Sequence, residues 1–165
     1  MAQLHCFWLN TYRLVFLLIL LTMGIGQATA AEPINTLEKS LFRYKPNGIA
    51  IRGFDTVAYF TQGMPVMGSG DFSTEWMGAT WHFSTQDHLD LFLEQPESYA
   101  PQYGGYCAYG VSQGYLVKIE PDQWTIVQDK LYLNYDKEVQ ATWVKDIPGY
   151  IKKADADYSD LLQSD

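Results

Sequence analysis

The chain has 165 residues, of which 47% are hydrophobic and 15% aromatic, and its formal net charge is −8 at pH 7. A length in this range fits one ordinary domain. The acidic balance leaves no basic patch for nucleic acid or for an anionic lipid surface, so both classes of partner are excluded.

The first 30 residues have the three-part pattern of a secretory signal peptide. A single cation, Arg13, precedes an apolar run from Leu14 to Leu21, and small residues follow at Ala28 and Ala30. The alternative, an uncleaved membrane anchor, would need about 20 apolar residues, and this run is shorter. We therefore predict cleavage after Ala30, a secreted or periplasmic location, and no stable membrane anchor after cleavage.

Cleavage would leave one cysteine, Cys107, and two histidines, His82 and His88. The loss of Arg13 would change the net charge from −8 to −9. A single cysteine cannot form an internal disulfide, even in an oxidising compartment. Cys107 must therefore be buried, bound to a ligand or reactive.

The mature chain begins with a predicted polar leader at residues 31–47. Gly48 to Phe60 mixes β-branched and aromatic residues, which predicts strand structure with a turn near Asp55. Gly63 to Phe72 is rich in glycine and predicts a loop.

Two segments predict β-hairpins. In the first, Thr74 to Met77 and Ala79 to Phe83 are short aromatic strands on either side of Gly78. The second runs from Trp124 to Tyr135, with its turn at residues 128–130.

The clearest predicted helix follows Ser84, which can cap it, with Asp87 at the capping-box position and Pro96 beyond its end. Helical spacing predicts one apolar face, made of His88, Leu89, Phe92 and Leu93.

A second helix is predicted at residues 136–147, where Asp136 is the cap and Pro148 ends the helix. Its apolar face consists of Val139, Trp143 and Val144. A short terminal helix and an acidic tail at 159–165 complete the chain. The order of elements predicts a single compact α+β domain with small antiparallel sheets and about three short helices.

Four stretches of this sequence resemble the YHS domain family, in particular its secreted bacterial branch. They are Gly53 to Phe60, Ala79 to Gly114, Trp124 to Tyr135 and Asp146 to Tyr158. The resemblance implies a YHS-like domain at residues 48–158. Its motif residues here are Asp55, Tyr59, Tyr106 and Tyr109.

The short YHS domains resemble metal-binding treble-clef modules and occur beside copper and heavy-metal transporters. The resemblance implies that their metal cysteines correspond to Ala58, Ser84 and His88 of this chain. Two of these three positions cannot bind a soft metal, and the third is an imidazole. The resemblance therefore implies metal handling without the thiolate ligands of the short domains.

Cys107 is the first candidate metal ligand. If the preceding glycines place it at a helix start, the positive end of the helix dipole should lower its pKa and favour the thiolate. His88 and His82 are the candidate partners, and Met64 and Met67 are weaker candidates because thioethers suit Cu(I). The alternatives are that Cys107, His88 and the methionines pack in the core and that His82 is a surface residue.

Three hypotheses of function remain open. The first is an exported binding module for a metal ion or small ligand, with copper as the candidate metal. The second is a non-catalytic structural or partner-binding domain in which Cys107 is core. The third is a thiol-based redox protein or enzyme. Catalysis is the least supported, because no nucleophile motif surrounds Cys107.

Overall fold

The computed structural model describes residues 30–39 and 43–163. Within these residues the chain forms six α-helices and three two-stranded antiparallel sheets, which confirms the α+β prediction. The predicted number of helices was too low because several helices have only one or two turns and leave no periodic pattern. No helix in the described ranges is long and apolar enough to span a membrane.

The sheets pair strands that are consecutive in the chain. The strands are β1 (Leu37–Lys39), β2 (Tyr44–Pro46), β3 (Ser69–Trp76), β4 (Ala79–Phe83), β5 (Glu120–Val127) and β6 (Lys130–Asn134). The helices are α1 (Thr56–Thr61), α2 (Gln86–Glu94), α3 (Pro96–Tyr99), α4 (Ala108–Val111), α5 (Lys137–Trp143) and α6 (Ile147–Leu161). Two 3₁₀ segments lie at Ala50–Gly53 and Gln102–Gly105.

The described part of the predicted polar leader is folded against the rest of the domain. It contains the antiparallel strand pair β1–β2, and Ile34 and Asn35 are buried. The Asn35 side chain donates a hydrogen bond to the carbonyl of Gly105, 2.9 Å away. This hydrogen bond joins residues 70 positions apart, so no local pattern could predict it. The predicted signal peptide, apart from Ala30, lies outside the described residues.

The strand predicted for residues 48–60 is wrong. The segment forms the first 3₁₀ turn and then α1, with Asp55 as the N-cap. The Asp55 Oδ1 atom accepts hydrogen bonds from the backbone N–H groups of Val57 and Ala58, at 3.0 and 3.3 Å. This cap satisfies N–H groups that a helix start leaves free, and it outweighs the strand propensity of the β-branched residues.

Both predicted hairpins are confirmed. The β3–β4 turn is Met77-Gly78 and the β5–β6 turn is Gln128-Asp129, and all four residues have positive φ angles, as tight hairpin turns require. The loop predicted for residues 63–72 overlaps the start of β3, where the register with β4 shifts between Ser69 and Ser73.

Helix α2 has the predicted position but a different cap. The Thr85 hydroxyl, rather than Ser84, accepts the hydrogen bond from the His88 N–H at 3.2 Å. His88, Leu89 and Phe92 are buried as predicted, whereas Leu93 is 56% exposed.

The last two helices are joined by a short turn. Asp136 caps α5 as predicted and Trp143 is buried, but Val144 is exposed. Pro148 lies in the first turn of α6 instead of ending α5. Proline is tolerated there because the first helical N–H groups have no partner within the helix. Helix α6 has 15 residues and extends into the predicted acidic tail.

The core contains two clusters of buried side chains. The first lies between the β3–β4 hairpin and α2, where the Phe92 ring is 4.9 Å from Phe83 and 5.0 Å from Trp81, between centroids. The second joins β6 to α5 and α6 through Tyr132 and Trp143, whose rings are 5.4 Å apart. These clusters fix α1, α2 and β4, which carry the candidate site.

Candidate functional site

A buried hydrogen-bond cluster joins α1 to the junction between β4 and α2. We call it the Asp55 cluster, and its members are Asp55, Thr61, Ser84 and His88. The Asp55 Oδ2 atom accepts three hydrogen bonds: from the N–H of Ser84 at 2.8 Å, from its hydroxyl at 2.6 Å and from Nδ1 of His88 at 2.6 Å. Together with the two capping bonds to Oδ1, five donors surround one carboxylate that is wholly buried.

His88 is held in one orientation by this cluster. Because a carboxylate only accepts, Nδ1 carries the proton in its bond to Asp55. The other ring nitrogen, Nε2, lies 3.1 Å from the Thr61 hydroxyl. The His88 side chain is 11% exposed. Both ring nitrogens therefore have protein partners.

The positions that the resemblance assigns to metal cysteines do converge here. The Ala58 N–H, the Ser84 hydroxyl and the His88 ring all contact the Asp55 carboxylate. The residues present do not fit a metal ion, however, since they are a methyl group, a hydroxyl that donates to Asp55 and a ring with two partners. In the described ranges, no three or more His, Cys, Asp or Glu side chains are grouped so that they could hold a metal.

Cys107 is the N-cap of α4, which meets the condition set for a lowered pKa, and its Sγ accepts a hydrogen bond from the Gly110 N–H at 3.3 Å. The predicted fall in pKa is wrong. Burial raises the pKa of the Cys107 thiol, although backbone N–H groups, that of Gly110 first, oppose the rise. The side chain is 1% exposed and α4 has only four residues, so loss of solvation outweighs the helix dipole.

The contacts of Cys107 and His88 are separate. The thiol of Cys107 lies 3.8 Å from Oδ1 of Asn134, whereas His88 contacts Asp55 and Thr61. The two residues share no hydrogen-bond partner. The geometry of Cys107 is that of a protonated core thiol.

The structure places two other candidate ligands, His82 and Met67, near Gly53. His82 is half-buried on the face of β4 opposite Trp81 and Phe83. Its Nδ1 atom lies 3.5 Å from the point that a β-carbon on Gly53 would occupy, and Met67 Sδ lies 3.8 Å from the same point. Met67 and Met64 are 59% and 52% exposed.

The motif tyrosines connect distant segments. Tyr59 donates to the carbonyl of Pro121 at 3.1 Å, and Tyr106 donates to that of Glu32 at 2.9 Å. Burial raises the pKa of both phenols, that of Tyr106 to about 12. The half-buried Tyr109 ring packs edge-on against Tyr150. Through these contacts the three tyrosines hold separate segments of the fold together.

Thr61 is the member of the Asp55 cluster that sequence reasoning missed, because a strand was predicted there. The available signal was Asp55 itself, since an aspartate before Thr-Val-Ala can cap a helix. Thr61, six residues after Asp55, is the last residue of α1.

Residues 57–103 match the family model of the YHS domain. The match begins in α1 and includes the β3–β4 hairpin and α2, with Met67, His82 and His88. Searches of the curated proteins and of the solved structures found no match to this chain.

Proposed function

We propose that this chain, which carries a YHS domain at residues 57–103, is an exported binding module for a transition-metal ion, with copper as the candidate metal. The YHS domain family is regarded as a family of metal-binding modules. The observation that carries the proposal is that the His82 imidazole and the Met67 thioether lie close to the same point above Gly53.

The other candidate ligands are engaged elsewhere. The Asp55 carboxylate has five donors, and both nitrogens of His88 have partners. The Cys107 thiol is buried with a raised pKa, so the thiolate that would bind a soft metal is disfavoured. Imidazole and thioether remain, and they suit Cu(I).

A non-catalytic structural or partner-binding domain is the second candidate function. The burial of Cys107 favours it, because a thiol that is 1% exposed and hydrogen-bonded within the fold acts as core. The same burial disfavours a thiol-based enzyme, since the protonated thiol is a weak nucleophile.

Copper binding and thiol labelling, measured in parallel, test these functions. We would use the untagged chain carrying Cys6→Ser, so that Cys107 is the only thiol. We expect the folded protein to take Cu(I) from a chromophoric chelator while a thiol reagent leaves Cys107 unlabelled. The same protein in denaturant should label fully.

The other outcomes separate the alternatives. If Cys107 stays unlabelled and the folded protein takes up no copper, the result would contradict the proposal and favour the hypothesis of a structural or partner-binding domain. Rapid labelling of the folded protein would favour the thiol-based hypothesis.

The proposed export predicts the N-terminal residue of the mature protein. The protein recovered from the cell envelope or the medium should begin at Ala31, which N-terminal sequencing measures. Ala28→Glu places a charged side chain where a small residue is required, so this variant should remain uncleaved. An intact N-terminus on the exported wild-type protein would instead indicate an anchor.

A further inference from the structure

Two glycines lie beside the ring nitrogens of His82, and the Cγ2 methyl group of Ile49 lies 3.7 Å from the point that a β-carbon on Gly53 would occupy. Gly53 faces Nδ1, and a β-carbon on Gly70 would lie 4.0 Å from Nε2. Neither glycine presents a side chain to the ring. Among the residues that the structure describes, neither ring nitrogen of His82 has a hydrogen-bond partner. The half-buried His82 ring therefore has two nitrogens without protein partners among the described residues.

Backbone contacts bring Met67 to the same place. The Asp55 N–H donates to the carbonyl of Val66, and the Gly68 N–H donates to that of Gly53, both at 2.9 Å. Gly68 passes so close to β4 that a β-carbon there would lie 2.6 Å from the carbonyl carbon of His82. The residues on both sides of Met67 are therefore fixed, while its exposed side chain is free to change rotamer.

We infer that His82 Nδ1 and Met67 Sδ are the protein ligands of a Cu(I) site above the α-carbon of Gly53. This inference rests on the proposed function, because it names the ligands of the metal that the module would bind. Imidazole is a borderline ligand and thioether a soft one, and the pair suits Cu(I) better than hard cations, which prefer oxygen. Both ligands are neutral, so the ion keeps its positive charge beside a chain of net charge −8.

Cu(I) competition titration of the full chain carrying Cys6→Ser, with each variant made in that background and compared with it, tests this assignment. Loss of a residue that only supports a metal ligand typically weakens metal binding about 10–100-fold. We therefore expect His82→Gln and Met67→Leu each to weaken Cu(I) binding by at least about tenfold. Met77→Leu is the matched control, because Met77 is a thioether of similar exposure at the β3–β4 turn. This control and Cys107→Ser should bind as the wild type does.

A second measurement separates ligation from damage to the fold. Ag(I), a redox-inert substitute for Cu(I), should shift the NMR signals of the Met67 methyl group and the His82 ring and leave those of Met77 unchanged. If the wild type binds copper and His82→Gln binds it equally well, the ligand assignment is overturned while the proposed function stands. If no variant and no wild-type protein binds copper, both fail.

Discussion

Asp55→Asn is expected to lower the free energy of unfolding by about 3–5 kcal/mol, the range for removing one partner of a buried charged network. An asparagine has one acceptor oxygen, whereas both Asp55 oxygens accept hydrogen bonds. The new amide would direct its N–H groups at the donors of either α1 or the Ser84–His88 side. Urea unfolding measures the difference.

The matched control for this variant is Asp90→Asn. Asp90 lies on the exposed face of α2, and its contact with Gln86 can be kept by an asparagine. It should change the stability by no more than about 0.5 kcal/mol. Equal, small effects of the two variants would mean that the Asp55 cluster does not hold α1 and α2 together.

Phe92→Ala is expected to cost about 3–5 kcal/mol of stability, because it opens a cavity in the first core cluster. The ring is 1% exposed and packs against three aromatic rings, those of Trp76, Trp81 and Phe83. These neighbours belong to the β3–β4 hairpin, so the cavity would loosen the contact of α2 with both strands. Thermal or urea unfolding measures the loss.

Leu93→Ala is the control for the cavity, since Leu93 is the next residue of the same helix and is 56% exposed. It should be close to neutral. A loss of stability at Leu93 equal to that at Phe92 would show that the buried face of α2 is misassigned.

The elements that could be predicted from the sequence are those specified by neighbouring residues. Both hairpins follow from turns in which adjacent residues take positive φ angles, as Met77 and Gly78 do. Helix α2 follows from its apolar spacing, although periodicity did not distinguish the buried Phe92 from the exposed Leu93.

The parts that could not be predicted depend on contacts between distant residues. Asp55 contacts residues 29 and 33 positions away, Ser84 and His88, and nothing local indicates that they meet. A helix start at Cys107 could be considered from the preceding glycines, but the burial that raises the thiol pKa comes from packing across the chain. The position of Met67 near Gly53, which His82 also approaches, likewise depends on the pairing of residues 66–68 with the segment before α1.

The most direct test of metal binding at His82 and Met67 is the copper K-edge X-ray absorption spectrum of the Cu(I)-loaded chain. We expect an imidazole nitrogen and a sulfur neighbour in the wild type, with the sulfur contribution lost in Met67→Leu and kept in Cys107→Ser. A sulfur contribution that is lost in Cys107→Ser and kept in Met67→Leu would place copper on the core thiol and contradict this account.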